Sequence, residues 1–153
     1  MREDSPGVRL YPPLYLLAGL AVGWAAGRFV PIAWLDPATA RNAGAAAAMA
    51  GILLDVWCVA MFLRAGSDPR PDRPSKVLFT GGLFRYSRNP MYLGGVLTYA
   101  GVAVWAEWWW AFALLPVVLY ALTRWVIRRE EAYMERTFGE AYRDYRRRVR
   151  RWL

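Results

Sequence analysis

The sequence contains no histidine and only one cysteine, and both features narrow the chemistry open to it. Without imidazole, Ser-His-Asp hydrolysis, Cys-His proteolysis and histidine-ligated zinc are all excluded. Cys58 has no second thiol to pair with and lies in an apolar run, where a small packing residue is the favoured interpretation. We therefore expect no metal site, and any catalysis must proceed without histidine.

Charged residues are also scarce, at 21% of the chain, whereas 57% of the residues are hydrophobic. This balance is too apolar for an ordinary soluble domain and predicts that lipid is the solvent. The nine Trp and nine Tyr residues fit an aromatic belt between hydrocarbon and headgroups. The net charge of +8 could suggest nucleic acid, but the basic residues lie between and after the apolar runs, so we expect no nucleic-acid partner.

Long apolar runs predict an all-α membrane protein with four transmembrane helices, folded as one domain over residues 1–153. The first two runs each have the ~20 residues that cross a ~30 Å hydrocarbon core. The run from Pro90 to Ile127 is too long for one span and has Glu107 and four tryptophans near its middle. It predicts a tight helical hairpin whose tryptophans mark the far interface. The predicted spans are about 10–30, 43–63, 90–105 and 109–127.

Arginine and lysine concentrate in two connections, and positively charged connections stay on the cytoplasmic side. The connection between the first two spans has only Arg41 clear of the membrane, and the hairpin tip has no basic residue. We therefore predict cytoplasmic termini and a cytoplasmic middle connection, in a bacterial-type inner membrane. The basic residues of the middle connection are Arg64, Arg70, Arg73, Lys76, Arg85 and Arg88.

The segment from Arg128 to Leu153 has an aromatic and apolar stripe at alternating spacings of four and three, with arginines on the other faces. This pattern predicts one amphipathic helix that lies along the membrane surface and contacts anionic lipids. A solvated basic tail is the alternative. The stripe consists of Phe138, Tyr142, Tyr145, Val149 and Trp152.

The stretch from Gly81 to Gly95, GGLFRYSRNPMYLGG, is rich in residues with specific local roles. Asn89 followed by Pro90 predicts an N-cap and the first residue of a helix. The free amides at that helix start, with Arg88 beside them, form a possible seat for a carboxylate or phosphate. Each feature also has a plain structural explanation, with Arg88 as an inside-positive anchor and Tyr92 as an interfacial aromatic.

Acidic residues at two further places are candidates for function. Glu130 and Glu131 follow the fourth predicted span, where they could accept hydrogen bonds from a ligand or pair with nearby arginines at the surface. Asp55 lies within the second predicted span, and an intramembrane carboxylate is a functional candidate by default. Pairing with Arg124, the nearest partner by depth, and contact with a substrate both remain open.

These motifs in this order resemble the membrane methyltransferases grouped with isoprenylcysteine carboxyl methyltransferase and the phospholipid N-methyltransferases. The resemblance covers about residues 75–153 and rests on an Arg-His-Pro-x-Tyr-x-Gly pattern, a hairpin, Glu-Glu and an aromatic, basic tail. Asn89 stands where the family has histidine. Because an amide cannot act as a base near neutral pH, any mechanism that needs a base at this position is in doubt. The matching residues of the first pattern are Arg88, Pro90, Tyr92 and Gly94.

The resemblance implies a cytoplasmic S-adenosylmethionine pocket and an acceptor that enters from lipid. The acceptor could be an isoprenylcysteine-type carboxylate, a phospholipid amine, or a small thiol or alcohol. No catalytic residue is assigned, although a protonated amine would need a base, for which Glu130, Glu131 and Tyr92 are the candidates. The implied cofactor-binding residues are Gly82, Leu83, Arg88, Asn89, Pro90, Tyr92, Gly94, Glu130 and Glu131.

Two other classes of function compete with methyl transfer. Sterol reductases have a similar terminal region but use NADPH, and the chain has no evident site for the extra 2′-phosphate of that cofactor. A non-catalytic membrane subunit could instead use the basic tail to bind a partner or anionic lipid.

Overall fold

A computed structural model describes residues 10–70 and 77–153, and every regular element in these ranges is helical. The all-α prediction is therefore confirmed. The basic residues Arg73 and Lys76 and the N-terminal residues 1–9, which were predicted to be cytoplasmic, lie outside the described residues. The helices are α1 (Pro12–Phe29), α2 (Pro37–Arg64), α3 (Pro90–Trp105), α4 (Trp109–Ala113), α5 (Leu115–Leu122), α6 (Arg128–Phe138) and α7 (Glu140–Arg148). A 3₁₀ helix (Gly82–Arg85) precedes α3, and a π-helical turn (Thr123–Ile127) joins α5 to α6.

Proline opens the first three helices, as its missing N–H and fixed φ favour. Helix α2 begins at Pro37, six residues before the predicted start at 43, because Asp36 caps it. The Asp36 Oδ1 atom accepts a hydrogen bond from the Thr39 amide at 2.9 Å. The hydrophobic pattern predicted the start of α2 too late, because the first turns of this helix consist of polar or small residues.

Helix α2, at 28 residues, is the one helix among the described residues that is both long and apolar enough to cross a membrane. Only 11% of its apolar window is buried inside the protein. Its outward side chains include Leu53, Val56 and Trp57, which are 60% to 63% exposed. A continuous apolar face of this kind requires an apolar environment or a partner to cover it.

Helices α2 and α3 pack antiparallel through a stripe of small residues that lets their backbones approach closely. Gly44 of α2 lies against Trp105 of α3, and Gly51 lies against Thr98. A Cβ atom on Gly101 would stand 2.2 Å from the backbone nitrogen of Ala48, a distance that real Cβ atoms do not adopt. The glycines thus set the spacing of the two helices.

Gly101→Ala should therefore lower the free energy of unfolding by about 1–3 kcal/mol, because the helices must separate to admit one methyl group. Gly27→Ala in α1 is the matched control, since the nearest atom to its new Cβ would be 3.9 Å away. Alanine is the better helix former, so the control should be neutral or slightly stabilising. Thermal unfolding in detergent compares the two, and equal midpoints would contradict this packing.

Helix α1 completes the bundle by packing against the second half of the predicted hairpin. Gly23 lies against Ala111, and the Trp110 Nε1 atom donates a hydrogen bond to the Val30 carbonyl at 2.7 Å. The Tyr99 hydroxyl donates to the Ala111 carbonyl at 2.6 Å and joins the two arms of the hairpin. Within the described ranges up to residue 127, the chain thus forms four antiparallel helical segments, with the tryptophan-rich turn at one end and Pro90 at the other.

The hairpin itself is present, and α3 spans the predicted 90–105, but its second arm is not one straight helix. It breaks at Leu114, between α4 and α5. Pro116 has no amide to donate to the carbonyl four residues earlier, so the hydrogen-bond ladder is interrupted there. The π-helical turn then widens the backbone just before α6.

The prediction of one continuous C-terminal amphipathic helix is wrong. Gly139 has a φ of +55°, a conformation that few other residues adopt, and it separates α6 from α7. The aromatic stripe is also largely internal, because Tyr142 and Tyr145 are each 3% exposed and pack against Phe84. The stripe packs against the segment before α3 of the same chain. Helical periodicity alone cannot distinguish such a contact from contact with lipid.

Candidate active site

Glu131 is the centre of a buried ion-pair network at the Pro90 end of the bundle. Its Oε1 atom lies 3.1 Å from Arg88 Nη2, and these side chains are 9% and 8% exposed. Arg151 donates to both carboxylate oxygens, from Nε at 3.0 Å and from Nη2 at 2.7 Å. One carboxylate therefore joins the segment before α3, helix α6 and the C-terminal residues, and its hydrogen bond raises the pKa of Arg151.

The C-terminal residues also bind the segment before α3 through backbone groups. The Arg88 amide donates to the Arg150 carbonyl at 2.9 Å. The Arg151 carbonyl accepts from Asn89 Nδ2 at 2.9 Å and from the Ser87 hydroxyl at 3.3 Å. Asn89 does occupy the N-cap position, but its side chain makes no capping hydrogen bond, so that part of the prediction is wrong. The Asn89 side-chain amide donates to the Arg151 carbonyl instead.

Glu130, the neighbour of Glu131, has a different partner. The Tyr92 hydroxyl donates to Glu130 Oε1 at 2.5 Å. Burial raises the pKa of the Glu130 carboxyl to about 7, against the opposing effect of the Tyr92 hydrogen bond, and the charge of Glu131 adds to the increase. The Glu130 carboxyl can therefore gain and lose a proton near neutral pH.

Arg88 has unused hydrogen-bonding capacity. Its Nε and Nη1 atoms are buried and have no hydrogen-bond partner among the described residues. Unpaired buried donors of a charged group are costly, and such groups in native proteins call for an explanation. An anionic ligand group beside Arg88 would satisfy one of these two donors.

These residues form the wall of a polar cleft with a cavity volume of about 130 Å³, which opens to solvent. Its aromatic side includes Phe84, Tyr142 and Tyr145, and burial raises the pKa of Tyr142 to about 12, so that hydroxyl stays neutral. The charged and titratable groups around the cleft are Asp68, Arg70, Arg88, Glu130, Glu131, Tyr133, Tyr142 and Tyr145.

A second, mainly apolar cavity of about 340 Å³ adjoins the polar cleft. Pro69 and Arg70 line both spaces. Tyr92 lines the apolar cavity while its hydroxyl bonds to Glu130 in the cleft, so the Tyr92–Glu130 pair stands between the two. The other lining residues are Tyr11, Pro12, Pro13, Leu16, Asp55, Val59, Met91, Gly95 and Leu122.

Asp55 lines this apolar cavity and lies against Gly94 of α3. Its Oδ1 atom is buried without a hydrogen-bond partner among residues 10–70 and 77–153. The pairing with Arg124 that depth alone suggested is therefore not formed, and the Arg124 side chain is exposed. Depth along two helices does not fix which way their side chains face, and contact of Asp55 with a substrate stays a prediction.

The amino-acid sequence matches a known protein family. The sequence profile of the family described as phospholipid methyltransferase matches residues 40–141, more than half of the chain. The chain belongs to this family. The match begins well before residue 75, where the resemblance seen in the motifs started, and it includes nearly all of α2.

This member of the phospholipid methyltransferase family is similar to a protein whose name gives no function. It is an uncharacterized protein of Haemophilus influenzae, 35% identical over 63 residues, which is 41% of this chain and 100% of that protein. No solved structure matches the sequence. Family membership indicates methyl transfer as the activity, and the chemistry of the site has to be argued from its own residues.

In this family member, the structure brings together only some of the predicted cofactor-binding residues. Arg88, Asn89, Glu130 and Glu131 line the polar cleft, and Tyr92 adjoins it. Position 94 requires glycine for packing, because an added Cβ would lie 2.2 Å from Asp55 Oδ1 of α2. The cofactor role of every residue in the predicted set stays a prediction. Those that do not line the cleft are Gly82, Leu83, Pro90 and Gly94.

Two features of the site were not predicted from the sequence. One is the contact of Arg151 with Glu131, and the other is the aromatic lining of the cleft. Arg151 lies 20 residues after Glu131, and no local pattern relates the two. Tyr142 and Tyr145 were visible as a stripe, and the Tyr145 hydroxyl donates to the Phe84 carbonyl at 2.7 Å. Among the described residues, no group of three or more Cys, Asp or Glu side chains could hold a metal ion.

Proposed function

We propose that the protein transfers the methyl group of S-adenosylmethionine to a lipophilic acceptor at the membrane surface. One observation carries the proposal: a polar cleft and an apolar cavity adjoin at the Tyr92–Glu130 pair. A charged, water-soluble cofactor suits the first space, and a lipid-soluble acceptor suits the second. Methyl transfer needs the two reactants held in contact, which this arrangement provides.

The residues of the cleft fit the cofactor. Arg88, whose Nε and Nη1 atoms are buried and have no hydrogen-bond partner among the described residues, would donate from one of them to the cofactor's carboxylate. Glu131 would fix the Arg88 guanidinium and has remaining lone pairs for the amine or the ribose hydroxyls. The aromatic faces of Phe84, Tyr142 and Tyr145 would hold the adenine ring and attract the positive sulfonium.

The Tyr92–Glu130 pair would accept the proton that a neutral acceptor group must lose. When bound, S-adenosylmethionine would supply an electrophilic methyl carbon and a sulfur leaving group that keeps the bonding electron pair. The acceptor's proton would pass to the Tyr92 oxygen, and Tyr92 would pass its own proton to Glu130 Oε1. Proton and charge then balance without a metal ion or a histidine.

The membrane arrangement that goes with this proposal has four crossings, at α1, α2, α3 and the α4–α5 arm. The exposed apolar side chains of α1, α2 and α5 support it, because these faces need lipid to cover them. Basic residues near the Pro90 end support a cytoplasmic site in a bacterial-type inner membrane. The family match supports methyl transfer over the NADPH reductase and the non-catalytic subunit.

Calorimetry of the purified protein with S-adenosylmethionine tests the proposal. Wild type should bind, and Arg88→Ala combined with Glu131→Ala should abolish binding, because the carboxylate loses its seat. Arg143→Ala, which removes only an exposed arginine paired with Glu140, is the control and should bind like wild type. No binding to wild type, or equal binding by the double variant, would refute the cleft as the cofactor site; binding of NADPH instead would favour the reductase.

A further inference from the structure

Two arginines share one buried carboxylate at the wall of the polar cleft. Arg88 Nη2 lies 3.1 Å from Glu131 Oε1, while Arg151 donates to Oε1 from Nε at 3.0 Å and to Oε2 from Nη2 at 2.7 Å. Arg88 and Glu131 line the cleft, whereas Arg151 does not. The three side chains carry two positive formal charges and one negative one, so the cluster has an excess of positive charge.

Arg151 occupies both oxygens of Glu131, and this limits how Arg88 can pair with the same carboxylate. A lone arginine and a carboxylate favour a bidentate pair, in which the guanidinium uses two donors and the two charges neutralise each other. With Arg151 in place, Arg88 approaches one oxygen only, and its buried Nε and Nη1 atoms have no hydrogen-bond partner among the described residues. Arg151 therefore leaves the charge of Arg88 and these donors available to a ligand.

Contacts on both sides of Arg151 hold it at the carboxylate. The Arg151 carbonyl accepts a hydrogen bond from Asn89 Nδ2 at 2.9 Å. The preceding carbonyl, that of Arg150, accepts one from the Arg88 amide, also at 2.9 Å. The following residue, Trp152, packs against the hydrophobic core of the bundle. The main chain around Arg151 is thus fixed to the segment that begins α3, and the direction of its side chain is fixed by its bidentate contact.

A purely structural link between the C-terminal residues and α6 would need only one ion pair, that of Arg151 with Glu131. It would not need a second arginine that is 8% exposed and keeps two buried donors without a partner. Such donors are costly to leave unpaired. An anionic group in the cleft would balance the cluster at two positive and two negative charges. The excess charge of the cluster therefore points to an anion as its missing member.

We infer that Arg151 is a positioning residue for anion binding in the polar cleft: it holds both oxygens of Glu131 and so leaves Arg88 free to bind the carboxylate of the cofactor. The inference rests on the proposed function, which assigns S-adenosylmethionine to this cleft. Arg151 acts through Glu131 and Arg88 and does not touch the cofactor itself. Without Arg151, the other two side chains should pair with each other, and the cleft should lose its preference for an anion.

Two ligands that differ by one carboxylate test this inference by calorimetry, without any methyl transfer. S-adenosylhomocysteine has the carboxylate, and its decarboxylated analogue keeps the adenosine, the sulfur and the amine. Wild type should bind S-adenosylhomocysteine more tightly than the analogue by about tenfold or more, the effect expected of a charge-assisted contact in a partly buried site. Equal affinities in wild type would overturn the inference, although binding of the cofactor in the cleft would stand.

Arg151→Gln should weaken binding of S-adenosylhomocysteine by about tenfold and should not weaken binding of the analogue, which has no carboxylate to lose. Arg151→Lys restores the charge without the bidentate geometry and should recover part of the loss. Arg150→Ala is the matched control: it removes the neighbouring exposed arginine but keeps the carbonyl that binds the Arg88 amide, so it should bind both ligands like wild type. If Arg151→Gln weakened both ligands equally, its role would be structural only and the inference would be overturned.

Inorganic phosphate separates this inference from the proposed function. If wild type binds neither nucleoside, the proposed function fails, and the thermal unfolding midpoint in detergent then decides the inference. A given phosphate concentration should raise the midpoint more in wild type than in Arg151→Gln, and equal rises would overturn the inference. If wild type and Arg151→Gln bind both nucleosides with the same affinities, only the inference about Arg151 fails.

Discussion

Glu131→Ala should lower the free energy of unfolding by about 3–5 kcal/mol and abolish cofactor binding. The variant leaves Arg88, which is 8% exposed, as a buried charge with no counter-ion, and it also frees Arg151 from its bidentate contact. The segment before α3, helix α6 and the C-terminal residues would lose a side chain that joins all three. Chemical unfolding in detergent measures the first effect, and calorimetry measures the second.

Two further variants show whether the effect belongs to the buried network. Glu140→Ala removes a glutamate of the same type whose pair with Arg143 is exposed, so its stability should change little. Arg151→Ala should be milder than Glu131→Ala, because Glu131 would keep its contact with Arg88. If Glu131→Ala were as stable as Glu140→Ala, the network would not hold these segments together.

Glu130→Gln should reduce the rate of methyl transfer by about 10²–10⁴-fold while cofactor affinity stays unchanged. The amide cannot accept a proton from Tyr92, whose hydroxyl donates to Glu130 at 2.5 Å in the wild-type protein. The wild-type rate should also rise as pH increases through about 7, the pKa to which burial raises Glu130, because only the deprotonated carboxylate can act as a base. Glu130→Gln should lose this increase.

Tyr92→Phe tests the same step from the other side. It leaves Glu130 in place but removes the oxygen that would receive the acceptor's proton, so the rate should fall while S-adenosylmethionine still binds. A Glu130→Gln enzyme with the wild-type rate and pH profile would show that the pair has no part in proton transfer. That result would also leave a carboxylate acceptor, which needs no base, as the better choice.

The helices were predictable because long apolar runs and proline-led starts are local signals. The hairpin from Pro90 and the all-α class follow from them. The break at Leu114 also has a local cause, Pro116. Counting hydrophobic residues does not detect it, because one proline barely changes the mean hydropathy of an apolar run. The start of α2 was placed late for the complementary reason, since its cap at Asp36 lies in polar sequence.

The site was only half predictable, because part of it depends on contacts between distant segments. The candidate residues Arg88, Glu130 and Glu131 do meet, at the same end of the bundle. The contact between the C-terminal residues and Glu131 could not be predicted from the sequence. Arg151 reaches Glu131 only because the chain changes direction at Gly139. A stripe at helical spacing indicates a buried face without saying what buries it, and here Phe84 rather than lipid does so.

Transfer of a radiolabelled methyl group tests the central claim most directly. Wild-type protein in vesicles of bacterial lipid, given S-adenosylmethionine labelled in the methyl group and a lipophilic amine, should move the label into the organic-solvent extract. Arg88→Ala should not, and Arg143→Ala should match wild type. The account would be contradicted if wild type bound the cofactor but left the extract unlabelled, or if Arg88→Ala labelled it equally well.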